Sequence, residues 1–316
     1  MTSLPRIVDR VGVPPIKCQG IKTKLVPFIA SNIRWESGAD GRWIEPFVGS
    51  GVVVFNLRPD RALLSDTNEH IIRLYQRIQN GEITQATVRQ YLAAAAPLLA
   101  AGEADYFYEV RSRFNNSGDS LDFLFLNRSC FNGVMRFNKK GGFNVPFGHK
   151  PERFSKAYIT KIINQVGWIS RQMHGKDWEF RVSDWRPTLA ESQASDFVYL
   201  DPPYIGRHTD YFNAWDEDEA RDLAEAAQTS PAGVALSMWQ ENRYRRNTHL
   251  DQHWADFDRR LVSHFYHVGS TESLRNEMLE ALVIRPGFAA DATFVEHYRM
   301  AGEQQLTLAG LSPELV

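Results

Sequence analysis

The sequence predicts an α/β fold built around a parallel sheet, and three stretches carry that prediction. Phe197-Val198-Tyr199-Leu200 is a four-residue apolar and aromatic run, the pattern of a strand buried on both faces. Trp43-Ile44-Glu45 reads as a short strand and leads through Gly49-Ser50-Gly51 into the apolar helix Val52-Val53-Val54-Phe55-Asn56-Leu57. Ala62-Leu63-Leu64-Ser65-Asp66 reads as a second strand, ending in an acid and followed by a helix over 68–79. Parallel neighbours need a crossover, and strand–turn–helix–strand supplies one.

At 316 residues the chain can bury a sizeable core, and 43% hydrophobic with 23% charged residues is ordinary for a globular protein. Charges interrupt the first ten residues where an export signal needs an apolar run, and no stretch has the length of a membrane span. No membrane partner and a cytoplasmic location are expected. Cys18 and Cys130 are the only cysteines, too few for a disulfide framework or a four-cysteine zinc site. The net charge of −2 says nothing of nucleic acid, but its distribution does. Between Arg128 and Lys161 stand eight basic residues against the single acid Glu152. Such a face suits phosphate contact, and equally an ordinary solvated surface.

In chain order, 14–25 holds Gly20 among Lys17, Lys22 and Lys24. It reads as a loop or as an anion-binding turn, without P-loop spacing. Glycines in the 45–51 turn let a ligand approach the backbone. Asp66 follows by roughly the twenty residues at which nucleotide sites place an acid for ribose hydroxyls. Helix capping by Asp66 or Thr67 is the plainer role. The α/β rhythm then breaks. Helices are predicted over 84–100, capped by Thr84, over 104–114 and over 121–126. Asn138 to Gly142 is a turn signal between aromatic flanks, so a β-hairpin is predicted around it. Its basic residues alternate with Phe131, Phe137, Phe143 and Phe147. That suits a ribbon entering a DNA groove, or aromatics packing on the helices behind.

A helix over 155–173 and a strand over 178–182 restore the α/β pattern, with Asp184 just beyond the strand. Residues 205–215, with Gly206, His208 and Tyr211, form a candidate lid. A helix over 216–228 and a strand over 233–239 follow. Strands over 262–268 and 281–284 are expected to pair antiparallel at the sheet edge, and 286 onward reads as a loose tail.

The chemistry centres on Asp201-Pro202-Pro203-Tyr204, directly after the strand Phe197–Leu200. Ligands of open α/β sheets sit beyond the carboxyl ends of the strands. Two prolines fix the backbone and remove two donors, leaving carbonyls as acceptors. A carboxylate, a carbonyl and an aromatic ring suit a planar ring bearing an amino group. The lone pair of such an amine is delocalised into its ring. Accepting both N–H bonds, at the Asp201 carboxylate and the Pro202 carbonyl, makes the nitrogen more tetrahedral and nucleophilic, while Tyr204 stacks on the ring. With no metal ligands clustered nearby, the electrophile must be self-activated, as a sulfonium methyl is. A base within a duplex must first be flipped out.

Together these motifs resemble the Dam-like α-group, or D12 class, of DNA N6-adenine methyltransferases. The resemblance rests on the order of an N-terminal lysine/glycine motif, Glu45-Pro46-Phe47-Val48-Gly49-Ser50-Gly51, an acid-ended second strand, an insertion, and Asp201-Pro202-Pro203-Tyr204. The run 127–147, with Asn127-Arg128, Phe131-Asn132-Gly133, Arg136, Asn138-Lys139 and Val145-Pro146-Phe147, makes it specific. It covers roughly 14–285.

The resemblance implies a Rossmann-like sheet with helices on both faces, S-adenosylmethionine (SAM) as donor, no metal, and double-stranded DNA as partner. It implies a discontinuous catalytic domain (1–72 and 174–300), a mostly helical target-recognition domain bearing the hairpin (73–173), and a tail (301–316). Cys18, Lys22, Glu45, Pro46, Phe47, Gly49, Ser50, Gly51, Asp66, Asp184 and Asp201 line the cofactor site. Catalysis falls to Asp201, Pro202, Pro203 and Tyr204. Lys17, Arg128, Phe131, Asn132, Val134, Arg136, Asn138, Lys139 and Pro146 face DNA, with Phe131 as the wedge. Cys18 stands where Dam relatives have a tryptophan, and Ile21 where they have a glycine. The stretches 14–27, 127–138 and 201–212 are most similar to EcoRV-type modification methylases. That implies GATATC as the site and a bacterial or phage-encoded monomer, with a cognate restriction endonuclease as its possible partner. Two other readings stay open on the residues: a DNA-binding regulator with a vestigial SAM site, and a methylase of RNA or protein amides.

Overall fold

The computed structural model describes residues 1–138, 140–150, 154–204, 215–242, 245–265 and 277–291. Near the N-terminus, β1 (Ser3–Leu4) and β2 (Trp35–Glu36) pair antiparallel. The main sheet uses β3 (Trp43–Glu45), β4 (Arg61–Asp66), β5 (Asp177–Val182), β6 (Phe197–Leu200), β7 (Gly233–Asn242), β8 (Asp258–Phe265) and β9 (Glu277–Ile284). Its order is β5-β4-β3-β6-β7-β9-β8. The first five are parallel, and β9 runs antiparallel to both β7 and β8. The two late strands therefore pair as the sequence predicts, with β9 inserted between β7 and β8. Positions 266–268 lie outside the described residues.

Strand periodicity divides the core in two. Trp43, Leu64, Phe197 and Tyr199 point to one face and join an apolar cluster with α1 (Val26–Asn32), α2 (Val52–Leu57) and α3 (Glu69–Gln79). Ile44, Leu63, Val198 and Leu200 point to the other. There they meet α7 (Trp185–Ala190), α8 (Glu217–Thr229) and α9 (Thr248–His253). Both faces are thus covered, as a central parallel sheet requires. The first cluster continues without a break into α4 (Gln85–Ser117), α5 (Ser120–Ser129) and α6 (Lys156–Met173).

The break expected between 100 and 104 does not occur. α4 is one helix of 33 residues, about 50 Å long, with Pro97 inside it. Alanines on both sides of Gly102 offset the roughly 1 kcal/mol that glycine costs within a helix. Thr84 caps it as predicted, in a reciprocal bond with Thr87. Its first turn beyond Gly118 delivers α5, whose Phe123, Leu124, Phe125 and Leu126 are all buried.

The hairpin after α5 is held by Cys130–Phe147 and Phe137–Phe143 bridges and turned by Asn138, whose carboxamide accepts from the Lys140 and Gly142 amides. Its aromatics separate into two classes. Phe137, Phe143 and Phe147 are buried, against His70, Phe114 and Phe107 respectively. Phe131 is 53% exposed. For three of the four, packing on the helices behind is therefore what their apolar surface does.

Residues 286–291 are not loose. Ala289 bridges to Ile33, Ala290 donates to Asn32, and Phe288 packs on Phe197. Residues 205–214 of the candidate lid and the tail over 301–316 lie outside the described residues. No helix among the described residues is long and apolar enough to cross a membrane.

The division of the aromatics is measurable by urea denaturation. Phe147→Ala empties a closed site and is expected to cost about 3–5 kcal/mol. Phe131→Ala is expected to stay within about 0.5 kcal/mol of the parent.

Candidate active site and nucleic-acid interface

The strand order reverses direction between β3 and β6. Successive strands β3, β4 and β5 step one way and β6 to β7 the other, which opens a crevice beyond their carboxyl ends. Glu45 closes β3, Asp66 closes β4 and Asp201 follows β6. Sheet topology thus gathers three acids that are far apart in the chain.

The glycine turn comes first. Gly49 and Gly51 have φ of +46° and +65°, which disfavours a side chain, and a Cβ at Gly51 would meet the Phe55 ring at 2.6 Å. The Gly49 amide donates to Asp66 at 3.0 Å, and the Ser50 carbonyl accepts from the Tyr75 hydroxyl at 2.6 Å. Asp66 also accepts from the Asn68 amide at 2.8 Å. It does not cap α3. Asn68 does, accepting from the His70 amide. Asp66 instead ties the turn to the second strand, with acceptor capacity left on each oxygen. Cys18 Sγ lies 3.9 Å from where a Gly49 Cβ would stand. Burial, with Asp66 and Asp201 nearby, pushes its thiol well above the ordinary range.

At the corner after β6, the Lys22 ammonium meets Asp201 Oδ1 at 2.7 Å. Lys22 is 2% exposed and also donates to the Gly20 carbonyl. Burial raises the Asp201 pKa, Lys22 opposes that rise, and Glu280 adds to it. Lys22 also lies over one face of the Tyr204 ring, 5.0 Å from its centroid. Tyr204 is buried, and its hydroxyl donates to Glu280 at 3.0 Å. A ring the sequence marks as a stacking platform is thus backed by a cation and pinned by an acid.

Glu45 is buried and accepts from the Trp43 indole at 2.7 Å. Burial raises its pKa to about 8, against the Trp43 bond and with Asp201 adding to the rise. Pro46 is buried, and Phe47 packs edge-on to Trp215. Asp184 sits beyond β5, where it caps α7 and pairs with Arg186 at 3.4 Å. Nothing described joins Asp184 directly to Asp201. The described residues contain no group of three His, Cys, Asp or Glu that could hold a metal.

The residues expected to face DNA divide as well. Lys17 is bonded through both backbone groups to the Asn127 carboxamide, and its stem passes Gly133, where a Cβ would lie 2.4 Å away. The Pro146 carbonyl accepts from the Phe131 amide. Lys17, Phe131, Asn132, Val134 and Pro146 therefore gather at the hairpin base, with Phe131, Asn132 and Pro146 exposed. Arg136 is held by Asn144 at 2.9 Å. One assignment is corrected by geometry. Arg128 is 4% exposed, bonds the Pro15 carbonyl and lies over the Tyr158 ring, fastening the N-terminal segment instead of facing outward. Asn138 is exposed, and its carboxamide oxygen accepts within its own turn. Lys139 lies outside the described residues.

Sequence reading missed Glu280. A lone acid within Met278-Leu279-Glu280-Ala281-Leu282-Val283-Ile284 was the available signal, since an acid in an apolar strand needs a partner.

A family model described as D12 class N6 adenine-specific DNA methyltransferase matches residues 19–268. A DNA adenine methylase of Serratia marcescens is 33% identical over 211 residues, 62% of this chain and 73% of its own. The Type II methyltransferase M.MjaIII of Methanocaldococcus jannaschii is 30% identical over 209 residues, 60% of this chain and 68% of its own. A DNA adenine methylase of Salmonella typhi is 27% identical over 267 residues, 79% and 88% of the two chains.

Glu45 makes a pH prediction. Between its ordinary value of 4.5 and about 8 the folded state holds a proton that the unfolded chain has released. Its contribution to stability is therefore present below 4.5 and lost as pH rises to about 8. Glu45→Gln is expected to match the parent Tm at the acid end of this window and exceed it at the alkaline end, by calorimetry across the range. Asp66 and Asp201, raised in the same sense, leave part of the slope in the variant.

Proposed function

This chain belongs to the D12 class of N6 adenine-specific DNA methyltransferases, and on that premise we propose that it methylates N6 of an adenine flipped from duplex DNA within GATATC, as a modification methylase. The observation that carries the reading is Asp201, held by Lys22 at the end of β6, beside the glycine turn and beneath the crevice of the sheet.

When bound, SAM supplies a methyl group activated by its sulfonium. The acids fit such a cation: Glu45, Asp66 and Asp201 stand at adjoining strand ends with Lys22 the basic partner of one of them. Asp66 holds the glycine turn in the shape that admits an adenosine, and its remaining lone pairs suit ribose hydroxyls. Lys22 favours the ionised form of Asp201 and takes up Oδ1, which leaves Oδ2 placed to accept an adenine N–H. The Pro202 carbonyl accepts the other N–H. With both hydrogens held, the nitrogen lone pair would turn out of the ring toward the methyl group that SAM would supply, and the surplus N–H proton would leave by way of the acceptor that holds it. Alignment of amine and methyl within about 3–3.5 Å supplies much of the rate.

Residues 1–72 and 174–300 serve as the catalytic domain and 73–173 as the recognition domain. In the latter, exposed Phe131 is the wedge that fills the space of the departed base, and Lys17, Val134, Arg136 and Pro146 read neighbouring bases. The chain acts as a monomer on its site. The likeness of 127–138 and 201–212 to EcoRV-type methylases favours GATATC over GATC.

Two experiments test this. Asp201→Ala is expected to lower single-turnover methylation by about a thousandfold or more while SAM still binds. Retained activity removes Asp201 from the mechanism. A plasmid carrying separate GATATC and GATC sites, treated with the enzyme and read by direct sequencing, is expected to show N6-methyladenine at GATATC alone. Methylation at every GATC refutes the longer site, and specific DNA retention without methyl transfer favours the regulator.

A further inference from the structure

We infer that Glu280 is a positioning residue for methyl transfer, acting through the Tyr204 hydroxyl to set the orientation of the ring against which the target base stacks. The inference rests on the active-site reading above and adds a residue from the far side of the sheet.

Glu280 is 1% exposed, in the middle of β9, with Trp239 of β7 and Val262 of β8 as its strand partners. A carboxylate this deep in a sheet forfeits hydration and persists only where polar partners replace it. The Tyr204 hydroxyl lies 3.0 Å from Oε2 and 3.3 Å from Oε1, so it addresses the carboxylate as a whole. A bond to an ionised acceptor is short, strong and directional. Tyrosine χ2 is otherwise a broad torsion, and ring tilt is therefore what such a bond restricts. Pro203 fixes the backbone before Tyr204, Glu280 fixes the far end of its side chain, and Lys22 covers one face. Tyr204 is thereby held at three points, with its plane set before any base arrives.

Glu280 is close enough to Asp201 to favour that carboxyl's protonated form, opposite in sense to Lys22. Negative potential at this corner favours positive charge developing on an amine nitrogen held there. Glu280 thus places negative potential behind Tyr204 while aligning it.

A double-mutant cycle on the full-length protein tests the link. Leucine fills the glutamate site without a charge, so Glu280→Leu leaves a folded chain to assay. In single turnovers on duplex DNA, Glu280→Leu is expected to slow methyl transfer about tenfold or more with little change in KM for SAM. Glu280→Gln, which keeps an oxygen acceptor for the hydroxyl, recovers most of the rate. In a Tyr204→Phe background, Glu280→Leu adds less than about twofold, because the hydroxyl it acts through is gone. Effects that multiply in the double variant, or a parent rate in Glu280→Leu, overturn the inference. Inactivity of the parent protein on DNA contradicts the proposed function itself, a separate outcome.

Discussion

The bond between Lys22 and Asp201 is the interaction on which the rest of the site depends. It joins residues 179 apart in sequence and closes the N-terminal segment over the end of β6. Buried without it, Asp201 would bind a proton and present a donor where an acceptor is needed. Lys22 in turn is buried, and the Gly20 carbonyl and the Tyr204 ring share the load of solvating it. The same ion pair therefore favours the ionised acceptor against burial, positions the N-terminal segment that brings Cys18 to the glycine turn, and packs the aromatic ring.

Around that pair the sheet assembles an excess of acid. Glu45, Asp66, Asp201 and Glu280 come from β3, β4, the end of β6 and β9, and each is fastened by a different donor: an indole, two backbone amides, an ammonium and a phenol. Burial raises the proton affinity of the first three. A cationic methyl donor bound beside them would favour the ionised form of every acid near it. The hairpin aromatics pack on α3 and α4, through His70, Phe107 and Phe114.

Much of this was legible in the sequence because it is local. The apolar run before Asp201, the glycine turn, the acid ending β4 and the cap at Thr84 each follow from neighbouring residues. What was missed depends on distant partners. Asp66 and Asn68 are equally good caps by composition, and only the approach of Gly49 assigns them different work. Arg128 reads as a basic surface residue until Pro15 and Tyr158 enclose it. Phe131 and Phe147 are alike in sequence, and the position of α4 decides which is buried. Residues 286–291 lack pattern because Ile33 and Asn32 anchor them. Glu280 carries no motif, and its meaning lies in Tyr204.

The claim that Asp201 works as an ionised acceptor is tested most directly by the pH dependence of single-turnover methylation in Lys22→Met. Lys22, Glu280, Glu45, Cys18 and Tyr199 are titratable groups that interact with Asp201 among the described residues. Removing the lysine lets burial and Glu280 raise the Asp201 pKa unopposed. The acid limb of the rate profile should move to higher pH, with the parent rate partly regained under alkaline conditions. An acid limb that stays in place, at the parent rate, would contradict the account.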